Sequence, residues 1–213
     1  MANLPENPVL LYVMDPMCAW CYGFTPVVRR LKALWYGRLT VEVLVGGLRP
    51  YAYDPLQQDE KDKMAVSWHR AQQKSELPFN YSFFTQPECV FDTEPACRAM
   101  VTVRHLRPGL VLEVLRALHS AFFADGQDIS RPEVLVDVVR PFGISENLFL
   151  ALFETEEIMR QTEQEFQLIT SMGVSTLPSV YLDHAHGPRL ISKGYCGLAE
   201  LEERLLQAIQ IPY

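Results

Sequence analysis

The hydrophobic positions near the start of the chain follow a strand pattern and then a helix pattern. Val9 to Met14 form a continuous apolar run bounded by prolines, which predicts a buried strand. From Phe24 to Trp35 the apolar residues recur three or four positions apart, which predicts a helix with one buried face, kinked at Pro26. Val41 to Val45 predicts a second strand, and the intervening segment is long enough to make the two strands parallel.

The rest of the chain is predicted to form a long helical stretch followed by a short sheet-forming segment. Helical periodicity dominates from Arg49 to about Ser171, with helices over 146–153 and 154–172 before the next strand. Two strands and a closing helix are then predicted over Pro178–Leu182, Arg189–Ile191 and Leu198–Ile209. We therefore expect an α/β fold in which residues 1–48 and 154–213 form one domain and residues 49–153 form an inserted helical subdomain.

Composition and charge narrow the class of protein. The 213 residues are 48% hydrophobic, which suits one globular domain carrying an insertion. The 19 basic residues are scattered and outnumbered by 26 acidic ones, giving a net charge of −7. Phosphate-backbone binding needs a concentrated positive surface, so we expect no nucleic-acid partner.

The first residues carry no targeting pattern. There is no basic segment before Val9, and the apolar run that follows is too short for a signal peptide or a membrane span. If these residues are the whole gene product, we expect a cytoplasmic protein with no membrane partner. In that compartment a cysteine pair is more often catalytic or metal-binding than structural.

The sharpest chemical signal is Cys18-Ala19-Trp20-Cys21, which follows the first strand and opens the first helix. A helix N-terminus favours an anion, so Cys18 is predicted to be the nucleophile of a thiol-disulfide reaction. Cys21 lies one turn later on the same face and is predicted to resolve the mixed disulfide. Trp20 offers apolar surface that could contact a substrate.

Two other interpretations of the cysteine pair remain. A structural zinc site would need two further ligands, although no second CxxC or CxxH pair exists, and the pair could also be inert core residues. The possible additional zinc ligands are Cys89, Cys97, Cys196, His69, His105, His119, His184 and His186. We predict no metal site.

A second signal is the proline that precedes the third predicted strand. Pro178 cannot donate to a strand ladder, so it belongs at the strand's threshold. Together with a CxxC, such a proline is predicted to be cis and to pack against the cysteines, which leaves the Leu177 backbone free to pair with an extended substrate. Leu177 and Pro178 are therefore predicted substrate-binding residues.

Three further residues are assigned structural roles. Thr93, which precedes Glu94 and Pro95, is predicted to cap a helix. Cys97 could pair with Cys89 in a second disulfide, but its apolar helix face favours a core position. Cys196 is predicted to be a small packing residue.

Four motifs in order resemble the DsbA-like thioredoxin-fold family, and most closely its branch of predicted protein-disulfide isomerases and FrnE-like proteins. The motifs are Asp15 to Phe24, Gly46 to Pro50, Phe91 to Ala99 and Gly173 to Pro178. The resemblance implies a thioredoxin fold with a large inserted helical subdomain, a redox-active Cys18–Cys21 pair and a cis-Pro178 loop. It also implies a thiol-disulfide oxidoreductase or isomerase acting on protein or peptide substrates.

The chain departs from familiar members of that family in one respect. Periplasmic members carry Pro-His between the cysteines, where Ala19-Trp20 stand here. Glutathione-dependent isomerases and kappa-class transferases resemble the Asp92 to Arg98 stretch but use a serine at the position of Cys18. The CxxC therefore favours thiol exchange, with no cofactor beyond glutathione as a possible redox partner. A redox-switched chaperone or metal-binding module is a further alternative.

Overall fold

The computed structural model describes residues 8–86, 90–183 and 187–210. The strands are β1 (Val9–Met14), β2 (Thr40–Val45), β3 (Ser179–Leu182) and β4 (Arg189–Lys193). The helices are α1 (Ala19–Leu34), α2 (Gln58–Ser75), α3 (Glu94–Leu106), α4 (Val111–His119), α5 (Pro132–Val139), α6 (Glu146–Phe153), α7 (Glu156–Ser171) and α8 (Leu198–Gln210). None of the helices in these ranges combines the length and the apolar character needed to cross a membrane.

Strand β1 lies inside a four-stranded mixed sheet with the order β2-β1-β3-β4. It pairs with β2 in parallel, as the sequence predicts, and with β3 antiparallel. Leu10 and Tyr12 pack into the main core with α1, whereas Leu11 and Val13 pack on the other face with Ile169 of α7. Because both faces of β1 are covered, its sequence is apolar without alternation.

The predicted elements are found with small shifts at their ends. Helix α1 begins at Ala19, before its apolar periodicity starts, and runs through Pro26. Strand β3 begins at Ser179, so that Pro178 stands one residue before it. Ser145 occupies the N-cap position of α6, but its side chain makes no capping hydrogen bond, whereas Thr155 Oγ1 caps α7 by accepting from Ile158 N–H.

The helices between β2 and α7 pack around an aromatic centre and close over the start of α1. Trp68 of α2 contacts a ring of other aromatic side chains, namely Phe79, Tyr81, Phe83, Phe84, Phe122 and Phe123. From the same helix, Ser67 accepts a 3.2 Å hydrogen bond from Trp20 Nε1. The insertion therefore contacts the predicted active-site segment directly, while the exact domain boundaries stay a prediction.

Candidate active site

Cys18 is the N-cap residue of α1. Its Sγ accepts a 3.3 Å hydrogen bond from the backbone N–H of Cys21, one of the donors that a helix start leaves unpaired. The Cys18 side chain is almost buried but lines a cavity. A negative charge on Sγ would be stabilised by this N–H and by the helix dipole.

Cys21 lies in the first turn of α1 and is fully buried. Burial raises the pKa of its thiol well above the ordinary value of 9.0, and the hydrogen bond with Cys18 raises it further. Both cysteines are free thiols. The two thiols therefore differ in their access to a partner molecule, with Cys18 as the one that faces a cavity.

The loop before β3 lies against the cysteine pair. The Leu177–Pro178 peptide bond is cis, as the sequence predicts. The Cys18 Sγ lies 3.9 Å from the carbonyl oxygen of Leu177, although the two residues are 159 positions apart in the chain. The carbonyl oxygen of Pro178 already has a partner within the protein, because it accepts a 2.8 Å hydrogen bond from Gly194 N–H. Leu177 is therefore the residue of this loop whose backbone borders the nucleophile.

Gly46 gives the Leu177 side chain the space that it occupies. A Cβ atom at position 46 would lie 3.0 Å from both Leu177 Cδ atoms, which is closer than van der Waals contact allows. We expect Gly46→Ala to displace Leu177 and to lower the rate of disulfide exchange about tenfold, since a small displacement of a positioning residue costs on this order.

Gly109→Ala is the matched control for this substitution. A Cβ atom there would meet nothing within 4 Å, and neither glycine has a positive φ. Exchange rates and denaturant unfolding should be measured for both variants. Unchanged exchange in Gly46→Ala would mean that the position of Leu177 does not matter for the reaction.

Asp15 is a buried carboxyl group beneath the Cys18 loop, and its sequence pattern alone predicts no role for it. Its Oδ1 accepts from Met17 N–H at 2.8 Å and its Oδ2 from Leu48 N–H at 2.7 Å. Burial raises the pKa of the Asp15 carboxyl above 3.8, and these hydrogen bonds oppose the rise. Asp15 thus ties the loop that leads to Cys18 to the segment that follows β2. Its position directly after a buried strand was the available signal.

Thr93 occupies the N-cap position of α3, as predicted, but its side chain makes no capping hydrogen bond. Its hydroxyl accepts from Arg49 N–H at 3.1 Å, and its interaction with the Asp15 carboxyl opposes the rise in the pKa of Asp15 that burial causes. The N–H of Glu94 is satisfied by Asp92 Oδ1 at 3.0 Å instead. The Thr93 side chain therefore binds the Arg49 backbone, a contact between distant segments that capping statistics do not detect.

Cys97 is fully buried in α3, which agrees with the predicted core position. Its thiol also donates to Asp15 Oδ2 at 3.4 Å, and burial raises its pKa well above 9.0. Cys89, the proposed disulfide partner, lies outside the described residues. Cys196 is buried, as predicted for a packing residue, and its Sγ accepts from Ser192 Oγ at 3.2 Å.

The residues considered as zinc ligands do not converge where the structure describes them. Within residues 8–86, 90–183 and 187–210, no group of three His, Cys, Asp or Glu side chains could hold a metal ion. His119 is fully buried, its pKa is lowered by burial to about 3, and its Nε2 lies 3.4 Å from the Asp15 carbonyl oxygen. His184 and His186 lie outside these ranges.

Two cavities meet at Trp20 and Leu177, which line both of them. The first, which we call the apolar cavity, measures about 430 Å³ and contains Cys18 in its wall. Its other walls include Met17, Leu56, Met64, Trp68 and Phe91. The second, which we call the cationic cavity, measures about 600 Å³ and is lined by Arg70, Lys74, Lys193 and Tyr195, among others. The nucleophile is therefore flanked by two sites of different chemistry.

Comparison with known proteins assigns the family. The family model of the DSBA-like thioredoxin domain matches residues 9–205. A crystal structure of a candidate protein disulfide isomerase from Nitrosomonas europaea is 30% identical, with a TM-score of 0.89 over 96% of this chain and 98% of that one. The chain therefore belongs to the DSBA-like thioredoxin-domain family, and its fold is the predicted thioredoxin fold with a helical insertion.

Other similar proteins are more distant. The cytosolic disulfide reductase DsbM from Pseudomonas aeruginosa is 22% identical, with a TM-score of 0.76 over 95% of this chain and 98% of that chain, and a further structure of it contains GSH. The ClpXP adapter protein SpxH of Bacillus subtilis is 19% identical over 83% of this chain and 58% of its own length. The chain thus spans somewhat more than half of that curated relative.

Proposed function

We propose that this protein is a thiol-disulfide oxidoreductase that exchanges disulfides with protein or peptide substrates. The observation that carries the proposal is the environment of Cys18, whose Sγ accepts a helix N–H, lines a cavity and lies 3.9 Å from the Leu177 carbonyl. The N–H stabilises a thiolate at Cys18, the cavity lets a substrate reach it, and the Leu177 backbone offers an edge for an extended substrate. The family, in which thiol-disulfide oxidoreductases are general, supports the same activity.

The reaction proceeds by two exchanges. The Cys18 thiolate attacks one sulfur of the client disulfide, forms a mixed disulfide and releases the other client sulfur as a thiolate, which takes a proton from water. Cys21 then attacks Cys18 Sγ and its proton passes to the departing client thiolate, which forms the Cys18–Cys21 disulfide and releases the second client sulfur as a thiol. The client gains two electrons and the cysteine pair loses two. Burial of Cys21 keeps it protonated until the mixed disulfide forms.

We place the protein in the cytoplasm and assign it the reductive or isomerising direction. A cytoplasmic thiol pool keeps a pair in the dithiol state when one of its thiols lines an open cavity, as Cys18 does, so the resting enzyme would give electrons to clients. Glutathione is the proposed reductant: two glutathione thiols give up two electrons and become oxidised glutathione as the Cys18–Cys21 pair is restored. A cytosolic reductase and a GSH-containing structure among the similar proteins support this direction.

The test is equilibration of the purified protein in glutathione buffers of defined redox potential, followed by acid quenching, alkylation and peptide mass spectrometry. Cys18 and Cys21 are expected to oxidise together at one potential, because they form a single two-electron couple. Cys196, which is buried and hydrogen-bonded to Ser192, is the internal control and should stay reduced over the same range. Independent oxidation of the two cysteines, or none, would contradict the proposal.

The main alternative is a glutathione-dependent isomerase or transferase that acts on a small organic molecule. Its specific support is the Asp92 to Arg98 stretch, which forms the start of α3 near the site. Such an enzyme would need only one thiol for binding, so its activity would survive Cys21→Ser. Measuring both disulfide reduction and glutathione conjugation in that variant separates the two functions.

A further inference from the structure

The cations of the two cavities differ in whether they are paired. In the apolar cavity, Arg49 lies 3.5 Å from Glu60 and Lys63 lies 2.9 Å from Asp59, so each has an acidic partner. In the cationic cavity, Arg70, Lys74 and Lys193 form no ion pair with any residue that the structure describes. Three unpaired cations thus surround one cavity in a chain whose net charge is −7.

The placement of these cations is unfavourable for the free protein. Arg70 and Lys74 are four residues apart on α2, where like charges repel each other across one helical turn. Lys193, at the end of β4, adds a third positive charge to the lining of the same cavity. A bound anion would relieve this repulsion.

The cavity also borders the edge where a client would lie. Trp20 and Leu177 separate it from the apolar cavity, and the Leu177 carbonyl is 3.9 Å from Cys18 Sγ. Successive residues of an extended chain rise about 3.3 Å each, so residues next to the reactive client cysteine would reach both cavities. The two sides of the client would therefore meet an apolar and a cationic surface.

We propose that the cationic cavity binds acidic side chains of the client polypeptide beside the cysteine that Cys18 attacks. The preferred client then carries Asp or Glu on one side of that cysteine and a large apolar residue on the other. This inference rests on the proposed disulfide exchange and adds the substrate class. The occupant is a polypeptide because the cavity adjoins the Leu177 backbone, to which the proposed function assigns the pairing with an extended client.

The test uses fluorogenic peptide disulfides that differ only beside the reactive cysteine. Three peptides carry two Glu, two Gln or two Lys residues, and each is made with these residues before or after the cysteine. We expect kcat/KM for one acidic peptide to exceed that of its Gln counterpart about tenfold at low salt, with the advantage shrinking as salt is added. The Lys peptide should be the slowest.

The variant that tests the cavity is the triple substitution Arg70→Gln, Lys74→Gln and Lys193→Gln. It should abolish the preference, so that the Glu and Gln peptides react at equal rates, because the charges that distinguish the two peptides are gone. The matched control is Lys32→Gln, Arg38→Gln and Arg107→Gln. These three cations are exposed and line neither cavity, and their replacement gives a protein with the same net charge as the cavity variant.

The remaining outcomes are decisive. Equal rates with Glu and Gln peptides in the native protein, or an acidic preference that persists in the cavity variant, would overturn the inference while the proposed function stands. A cavity variant whose only defect is slower reduction by glutathione would also overturn the inference, because the cations would then bind glutathione and not the client. If no peptide is reduced, the proposed function fails and this inference fails with it. Circular dichroism of both triple variants checks their folding.

Discussion

Replacing Cys18 with serine is expected to lower disulfide exchange on the order of a thousandfold or more, to the uncatalysed rate. A serine hydroxyl can still accept the Cys21 N–H that Cys18 Sγ accepts at 3.3 Å, but it is not ionised at neutral pH and cannot form a mixed disulfide. Exchange should be measured with a peptide disulfide and glutathione. Activity that survives in Cys18→Ser would rule out Cys18 as the nucleophile.

Cys21→Ser should behave differently from Cys18→Ser. The first exchange can occur, but the resolving thiol is absent, so a mixed disulfide between Cys18 and the client should accumulate and be visible by mass spectrometry. Cys196→Ser is the matched control, because Cys196 is also buried but its Sγ accepts a hydrogen bond from Ser192 and makes none with the Cys18–Cys21 pair. It should turn over normally and accumulate no mixed disulfide.

The second large effect is expected on stability when Asp15 is replaced by alanine. Two backbone N–H groups, of Met17 and Leu48, would lose their acceptor, and each such loss costs about 1–3 kcal/mol in a buried setting. The thiol of Cys97 also loses its acceptor. We expect the free energy of unfolding, measured with denaturant, to fall by about 2–4 kcal/mol.

Asp54→Ala is the control for this loss. Asp54 is exposed, so its replacement should change the unfolding free energy by less than about 0.5 kcal/mol. If Asp15→Ala were equally harmless, the buried carboxyl would not be holding the loop before Cys18 to the segment after β2.

Asp15→Asn gives a pH-dependent version of the same test. Burial raises the folded-state pKa of Asp15 above 3.8, so the folded protein holds this proton more tightly than the unfolded chain. The stability that Asp15 contributes is then complete below pH 3.8 and declines as the pH rises through the raised pKa. The advantage of the native protein over Asp15→Asn should therefore shrink from acidic to neutral pH. An advantage that grows over that range would contradict the direction of the shift.

Much of the fold follows from local patterns in the sequence. The apolar run of β1, the helical spacing after it and the proline before β3 each predict an element that the structure contains. Cys18 and Cys21 are likewise recognisable, because their spacing and their place at a helix start depend on neighbouring residues only. Such patterns are local because backbone periodicity sets which side chains face the core.

The surroundings of the cysteines, by contrast, depend on tertiary structure. Asp15, Thr93 and Cys97 meet across more than 70 residues of sequence, and Gly46 admits a side chain from position 177. Thr93 stands at the helix cap that its sequence pattern indicated, whereas its hydroxyl accepts from the distant Arg49 N–H. Contacts of this kind follow no periodicity along the chain, because packing alone decides which side chains of separate elements come within hydrogen-bond distance. The sequence by itself therefore determined the elements and the thiol pair, and only the folded chain decided what surrounds them.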